Sequence, residues 1–229
     1  VSETWPTNGV PGSFYALQKA EVERRLDRFE REHPRVRVAR LRPGLIFKRE
    51  AATEVRRLFA GPLLPSPLLA PNRIRLLPDL DRLRFQGVHS DDVASAYRLA
   101  AVGEARGAFN IAAEPVLDPA ALAELLGARR VGMNRRLARA LIQLSYRLHV
   151  QPTEPGWLDL ALGVPLMDTT RAQSELGWKP TRSSGEALRE LLTGIADGAG
   201  AATPPLDPAT SGPFRAREFL TGVGRRGGL

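Results

Sequence analysis

Apolar residues recur at helical spacing in several stretches of the chain. Val22, Leu26 and Phe29 fall on one face of a helix. Ser13 is suited to cap the start of that helix, and Pro34 to end it. The same reasoning predicts further helices over residues 53–59, 91–101, 119–126, 135–148, 170–176 and 186–195. The longer periodic segments of the chain are therefore expected to be helical.

Alternating apolar residues indicate a few short strands between these helices. Residues 36–41 alternate and run into a turn at Pro43 and Gly44. Residues 74–77 and 109–112 are further strand candidates, which makes two or three strands in all. Helices alternating with strands indicate an α/β fold. Because a complete doubly wound sheet has more strands, we expect an incomplete one.

Composition adds limits on the chemistry. The chain has 229 residues and no cysteine, which excludes disulfides and thiol nucleophiles. Its three histidines lack the spacing of metal ligands, so no metal is expected. The net charge is +8, but the arginines are spread along the chain without a nucleic-acid-binding motif. We therefore expect no nucleic-acid partner.

No apolar run reaches the ~18–20 residues of a membrane span, and no secretory leader is visible. We expect a cytoplasmic protein with no membrane partner. The basic helix predicted over residues 135–148 offers an alternative, a membrane-surface or nucleic-acid role, because arginines accompany its leucines. The favoured interpretation places the leucine face of that helix in the core.

The start of the first predicted helix carries a Tyr-x-x-x-Lys motif, Tyr15 and Lys19. A spacing of four places both side chains on one helix face. A phenol is a poor base at neutral pH, and a nearby ammonium favours its phenolate form. Such a tyrosine can move a proton on or off a substrate hydroxyl while hydride moves to or from a nicotinamide. A solvated surface helix is the structural alternative.

The Tyr-x-x-x-Lys motif lies in the first of four segments that follow one another in a fixed order along the chain. With them, the chain resembles the extended short-chain dehydrogenase/reductase family, the NAD(P)-dependent epimerase/dehydratase group, over roughly residues 1–195. A further match is the strand FNIA at 109–112. The four segments are SFYALQKAEVE at 13–23, RLRPGLIF at 40–47, FQGVHSDDVA at 85–94, and DTTRA at 168–172 with ELGWKP at 175–180.

The resemblance implies roles for particular residues. Tyr15 would be the general acid/base, and Lys19 its activator and a ribose ligand. Pro43 and Gly44 would lie against the nicotinamide of NAD or NADP at a strand end. The substrate would be a small molecule, and the reaction an oxidation, reduction, epimerisation or dehydration. A homodimer is compatible with the resemblance.

Two further residues lie in the segment that borders the substrate pocket in the family, Gln86 and His89. For His89, a buried histidine bonded to backbone is the favoured alternative. Leu45 and Lys48 stand where nucleotide-sugar enzymes of the family often have asparagine and glycine. These departures speak against a nucleotide-sugar substrate.

The resemblance also implies an organisation. Residues 1–50 would be the end of a Rossmann-like dinucleotide-binding domain whose amino-terminal half is missing. Residues 51–196 would be mainly a small mixed α/β substrate-binding subdomain, with residues 85–113 returning to the sheet, and residues 197–229 a disordered tail.

The family's phosphate-binding turn would lie upstream of Tyr15. The G-x-G-x-x-G at 222–227 is rejected because no helix can follow it. A non-enzymatic interaction protein without cofactor binding is therefore the alternative.

Overall fold

The computed structural model describes residues 1–59, 65–148, 150–203 and 206–208. Two single turns of 3₁₀ helix lie at Arg49–Ala51 and Ser66–Leu69. The helices are α1 Phe14–Glu32, α2 Ala52–Phe59, α3 Ser90–Val102, α4 Pro119–Leu126, α5 Arg135–Arg147, α6 Pro155–Gly163, α7 Thr170–Glu175 and α8 Ser184–Asp197. The strands are β1 Ala39–Pro43, β2 Leu45–Phe47, β3 Leu76–Asp79, β4 Gly87–His89, β5 Gly107–Ile111 and β6 Arg129–Gly132.

The predicted α/β class is confirmed, and the predicted number of strands is wrong. The described residues contain six strands rather than two or three. The strands that were not predicted, β2, β4 and β6, have only three or four residues each. All three residues of β4 are buried, so the strand shows no alternation of polar and apolar residues. Helix α6 was also not predicted.

The described chain divides into two compact units. The first comprises residues 1–47, 82–118 and 159–187. The second comprises residues 48–81, 119–158 and those from 188 onward. The boundaries expected from the sequence lay at residue 50 and around residues 85–113. The structure in addition assigns residues 159–187 to the first unit.

Parallel pairing organises the first unit. Strand β1 pairs with β5, from Ala39 opposite Gly107 to Pro43 opposite Ile111. Strand β2 pairs with β4 in the same sense. Between them, Gly44 donates its N–H to the carbonyl of Ile111 at 2.9 Å. This single residue therefore joins the strand that pairs with β5 to the strand that pairs with β4.

The core of the first unit surrounds Trp178, which is 1% exposed. The indole Nε1–H donates to the carbonyl of Asp92 at 2.8 Å, so the ring is buried without an unsatisfied donor. The other buried members come from β4, α3, β5 and α7: Val88, Val93, Ala96, Ala100, Phe109, Ile111, Ala172 and Leu176.

Asp92 links helix α3 to the segment after Trp178. Its buried carboxylate accepts from the backbone N–H and hydroxyl of Thr181, at 2.9 and 2.7 Å, and from the N–H of Arg182 at 3.2 Å. The helix predicted over residues 91–101 places Asp92 in its first turn. In the structure its carboxylate holds a distant segment of the same unit.

The second unit is built around the parallel pair β3 and β6. Helix α2 contacts the chain that follows α8, because the Thr53 hydroxyl donates to the carbonyl of Ala199 at 2.7 Å. Arg57 donates to the carbonyl of Asp207 at 2.9 Å. The predicted disordered tail thus begins with residues that bond to α2. Residues 209–229, including the glycine motif at 222–227, lie outside the described residues.

Helix α5 departs from the sequence-based expectation. Its leucine face was expected in the core, but Ala138 is the buried residue of this helix. Leu137, Leu141 and Leu144 are half exposed, and Leu148 at the end of the helix is 63% exposed. The amphipathic pattern predicted the helix correctly, but its apolar stripe is on the surface. None of the helices in the described ranges combines the length and apolar character of a bilayer-spanning segment.

Replacing Asp92 with alanine should lower the free energy of unfolding by about 2–4 kcal/mol, because the three hydrogen bonds of its buried carboxylate to Thr181 and Arg182 are lost. Asp91→Ala is the matched control. Its carboxylate is 62% exposed, and its loss should cost less than about 1 kcal/mol. Urea unfolding monitored by tryptophan fluorescence measures both, and equal losses would contradict the proposed role of Asp92.

Candidate active site

Tyr15 and Lys19 lie in the first two turns of α1. Ser13 caps the helix, and its buried hydroxyl accepts the N–H of Ala16 at 3.3 Å. Tyr15 is 45% exposed, and Lys19 is also exposed. The Lys19 ammonium lies 5.5 Å from the centroid of the Tyr15 ring. The structure therefore brings the predicted pair together on an accessible face.

A cluster of ion pairs holds α1 beside β1. Arg40, whose side chain is 12% exposed, contacts Glu23 at 3.0 Å and Asp27 at 2.7 Å. It also pairs with Glu30. Arg42 contacts Glu23 at 2.7 Å. Because three carboxylates of one helix meet two arginines of one strand, helix and strand have a defined register.

The register shows that α1 runs opposite to β1. The earlier arginine, Arg40, reaches helix residues up to Glu30, whereas Arg42 reaches back to Glu23. Two residues beyond Arg42 advance the strand by about 6–7 Å, which matches the about 6 Å that four residues of a helix span. Lys19 is one turn before Glu23, and Tyr15 one turn before Lys19. By this register Lys19 lies at about the level of Gly44, and Tyr15 lies about one turn farther past the carboxyl end of β1.

The charges of this cluster support one another. Burial opposes ionisation of Glu23, but hydrogen bonds and charges of Arg42 and Arg40 outweigh it, so the pKa of Glu23 lies below its ordinary value. Burial likewise opposes the charge of Arg40. The carboxylates of Asp27, Glu30 and Glu23 outweigh it and raise the arginine pKa. Both partners therefore stay charged at neutral pH.

Gly44 lies where two backbone segments almost touch. A Cβ at this position would come within 2.5 Å of the carbonyl oxygen of Gln86. Its neighbour Leu45 donates its N–H to that same oxygen at 3.0 Å. Pro43 ends β1 opposite Ile111. The close approach to Gln86 requires glycine here, independently of any contact with a nicotinamide.

Gln86 is buried, and both the nitrogen and the oxygen of its side-chain amide are hydrogen-bonded. The side-chain Nε2 donates to Glu114 Oε1 at 3.0 Å and to the carbonyl of Met167 at 3.1 Å. The side-chain oxygen accepts the N–H of Met167 at 2.7 Å. Gln86 therefore ties the start of β4 to the loop at Met167, and its contact with a substrate stays a prediction.

His89 is 2% exposed and caps α3. Its Nδ1 accepts the backbone N–H of Asp91 at 3.2 Å, and the guanidinium of Arg182 lies against the ring. Arg182 also pairs with the Asp91 carboxylate at 3.2 Å. This environment matches the alternative of a buried histidine bonded to backbone. A substrate role for His89 likewise stays a prediction.

A polar network that the sequence did not indicate lies at the ends of β1 and β5. The backbone N–H of Asn110 donates to the Glu3 carboxylate at 2.8 Å, and its amide to the carbonyls of Val1 and Asp168 at 3.2 and 3.0 Å. Arg42 donates to the carbonyl of Glu3 at 2.9 Å. An asparagine within a buried strand is a signal of such bonding. Residues 1–3 thus lie next to the carboxyl ends of both strands.

The groups near Tyr15 suit one end of a dinucleotide. The exposed phenol and ammonium can donate hydrogen bonds to ribose and substrate hydroxyls. No Gly-rich turn between a strand and a helix, the usual cradle for pyrophosphate, occurs in the part of the chain that the structure describes. No group of three or more metal-binding side chains was found among those residues either.

Comparison with known proteins supports the fold. No protein-family model and no curated protein matches the amino-acid sequence. The solved structure of the protein gox2253 is 19% identical and superposes with a TM-score of 0.55, covering 86% of this chain and 60% of that one. UDP-glucuronic acid 4-epimerase from Bacillus cereus, in complex with NAD, is 13% identical with a TM-score of 0.50, covering 86% and 56%. The chain shares their fold and spans less than two thirds of their length.

Replacing Glu23 with glutamine should lower the free energy of unfolding at pH 7 by about 1–2 kcal/mol, because Arg40 and Arg42 lose a charged acceptor. The pKa of Glu23 is lowered by folding, so its stabilisation is complete above the ordinary value of 4.5. It is lost as the pH falls through the lower pKa of the folded protein. Urea unfolding of both proteins across this range should show the difference shrinking toward zero.

Glu21→Gln is the control for this experiment, since Glu21 bonds Arg25 and Arg24 at the exposed surface. Its loss should cost clearly less than the loss of Glu23, because water screens an exposed ion pair. A pH-independent effect of Glu23→Gln would contradict the ion-pair argument.

Replacing Gly44 with alanine should destabilise the protein by about 1–3 kcal/mol, because the new Cβ collides with the Gln86 carbonyl. Gly132→Ala is the matched control, since a Cβ at Gly132 meets nothing within 4 Å. This substitution should change the free energy of unfolding by less than about 0.5 kcal/mol. Thermal unfolding followed by circular dichroism compares the two. Equal midpoints for the two variants would rule out the close approach.

Proposed function

We propose that this chain belongs to the extended short-chain dehydrogenases/reductases, in the NAD(P)-dependent epimerase/dehydratase group. In this proposal it carries the Tyr/Lys part of their active site. The shared fold and the motif segments in their family order support it. The observation that carries the proposal is the accessible pair Tyr15 and Lys19, located past the carboxyl end of a parallel strand. In open α/β folds that edge is where ligands bind.

In this proposal the proton transfer falls to Tyr15. In oxidation of a substrate hydroxyl, the Tyr15 oxygen takes the hydroxyl proton, and in reduction it returns a proton to the carbonyl oxygen. Lys19 stabilises negative charge on that oxygen through its ammonium, and donates to a ribose hydroxyl. A bound NAD or NADP supplies the hydride acceptor or donor.

The remaining predicted residues have supporting roles in this proposal. Pro43 and Gly44 would border the nicotinamide with backbone rather than side chains. Gln86, held by Met167 and Glu114, would keep the strand ends in place. His89 would contact substrate only if its cap on α3 opened. Oxidation, reduction, epimerisation and dehydration all remain within the proposal, as do NAD and NADP.

A second candidate is an interaction protein that does not bind a dinucleotide. The observation that favours it is the lack of a Gly-rich strand–helix turn within the ranges that the structure describes. Binding of NADH or NADPH, followed by nicotinamide fluorescence in a titration, would exclude this second candidate.

Tyr15→Phe should lower kcat by roughly 10²–10⁴-fold, since it removes the general acid/base, and leave the Kd for the dinucleotide nearly unchanged. Tyr97→Phe is the control, because Tyr97 is 58% exposed on α3 and has no proposed role. The assay follows nicotinamide absorbance with NAD and NADP over a panel of secondary alcohols and sugars. Full activity of Tyr15→Phe would refute the assignment.

Lys19→Met extends this test, with the exposed Lys179→Met as its control. Loss of Lys19 should lower kcat and also raise the Kd for the dinucleotide, because the ammonium serves both the phenol and the ribose. A change in neither quantity would remove Lys19 from the site.

A further inference from the structure

Helix α5 presents an apolar stripe to the surface of the second unit. At about 100° per residue, Leu137, Leu141, Leu144 and Leu148 fall within an arc of about 60°. Each of them is 50–63% exposed. At the end of the stripe, Leu141, Leu144 and Leu148 line an apolar groove with Ile142 and Val150. Leucines in this number and register form a contiguous patch rather than scattered surface residues.

The charges of α5 have one sign. The helix RRLARALIQLSYR contains four arginines and no acidic residue. Arg136 and Arg147 lie about 90–110° from the centre of the leucine stripe, on one flank. Both side chains belong to exposed residues. The stripe therefore has a basic border from which long side chains can reach anionic groups while the leucines are buried.

We propose that α5 docks the protein onto an anionic lipid bilayer, lying in the plane of the interface. The leucine stripe would enter the boundary between headgroups and acyl chains, and Arg136 and Arg147 would pair with lipid phosphates. This arrangement uses both features of the helix, as amphipathic interfacial helices do. It concerns the second unit rather than the unit that carries Tyr15, and it is independent of the proposed function.

Charge complementarity favours an anionic bilayer over two other partners for this surface, a second copy of the chain and a nucleic acid. In a two-fold antiparallel pairing of two α5 helices, Arg136 of one copy would face Arg147 of the other. No acidic residue of the helix would compensate that repulsion. A nucleic acid would engage the arginines and leave the leucines in water. An anionic bilayer contacts both.

The test measures binding of the full chain to vesicles by co-sedimentation. One set is pure phosphatidylcholine and the other contains phosphatidylglycerol. We expect binding to the anionic vesicles that weakens with salt, and little binding to the neutral ones. Arg136→Gln with Arg147→Gln should weaken anionic binding about 25-fold, since each arginine near such a surface contributes roughly fivefold. Leu141→Ser with Leu144→Ser should weaken it at least about tenfold.

The matched control is Arg98→Gln with Val102→Ser on α3, where both residues are exposed. It should bind like the parent chain, and circular dichroism verifies that every variant is folded. Three results would overturn the proposal. They are no binding to anionic vesicles, binding that survives the leucine variants, and self-association in sedimentation velocity that the leucine variants abolish while vesicles do not bind.

Discussion

The candidate site depends on the ion pairs between α1 and β1. Arg40 and Arg42 point from one strand toward three carboxylates on successive turns of the helix, which fixes the helix along its axis as well as against the strand. A hydrophobic contact alone would allow sliding, whereas paired charges that are mostly withdrawn from water do not, because displacement leaves them without partners. As a consequence, the turns before Glu23 continue past the end of the strand and carry Lys19 and Tyr15 with them.

The end of that strand has a second constraint, the approach of two backbones at Gly44. Because glycine has no side chain, the chain can pass at Gly44 from pairing with β5 to pairing with β4. The buried amide of Gln86 holds this point in place through its hydrogen bonds to Met167. At this end of β1 the buried side chain of Gln86 holds the backbone in place, and the accessible polar groups come from α1. This division is typical of sites built on parallel strands, where rigid strands position residues of adjoining elements.

In the two amphipathic helices α1 and α5, the apolar stripe read from the sequence is not the buried face. Helix α1 buries Ala16 and Ala20 and pairs its carboxylates with a strand, while Val22 and Phe29 of its apolar stripe are 48% and 40% exposed. Helix α5 buries Ala138 and leaves its leucines at the surface. Hydrophobic periodicity specifies that a helix has an apolar face. It does not specify what that face contacts, since this depends on the surrounding chain.

Local rules were sufficient for most helices, for the Tyr15–Lys19 pair and for the α/β class. Caps such as Ser13 and breaks such as Pro34 act within a turn or two of the chain, so their effect is readable in the sequence. The strands β2, β4 and β6, the place of residues 159–187 in the first unit, and the exposure of the leucines of α5 came only from the tertiary structure. Parallel pairing and burial bring together residues that are many positions apart in the chain. The sequence of a short segment does not indicate which distant segment it will contact.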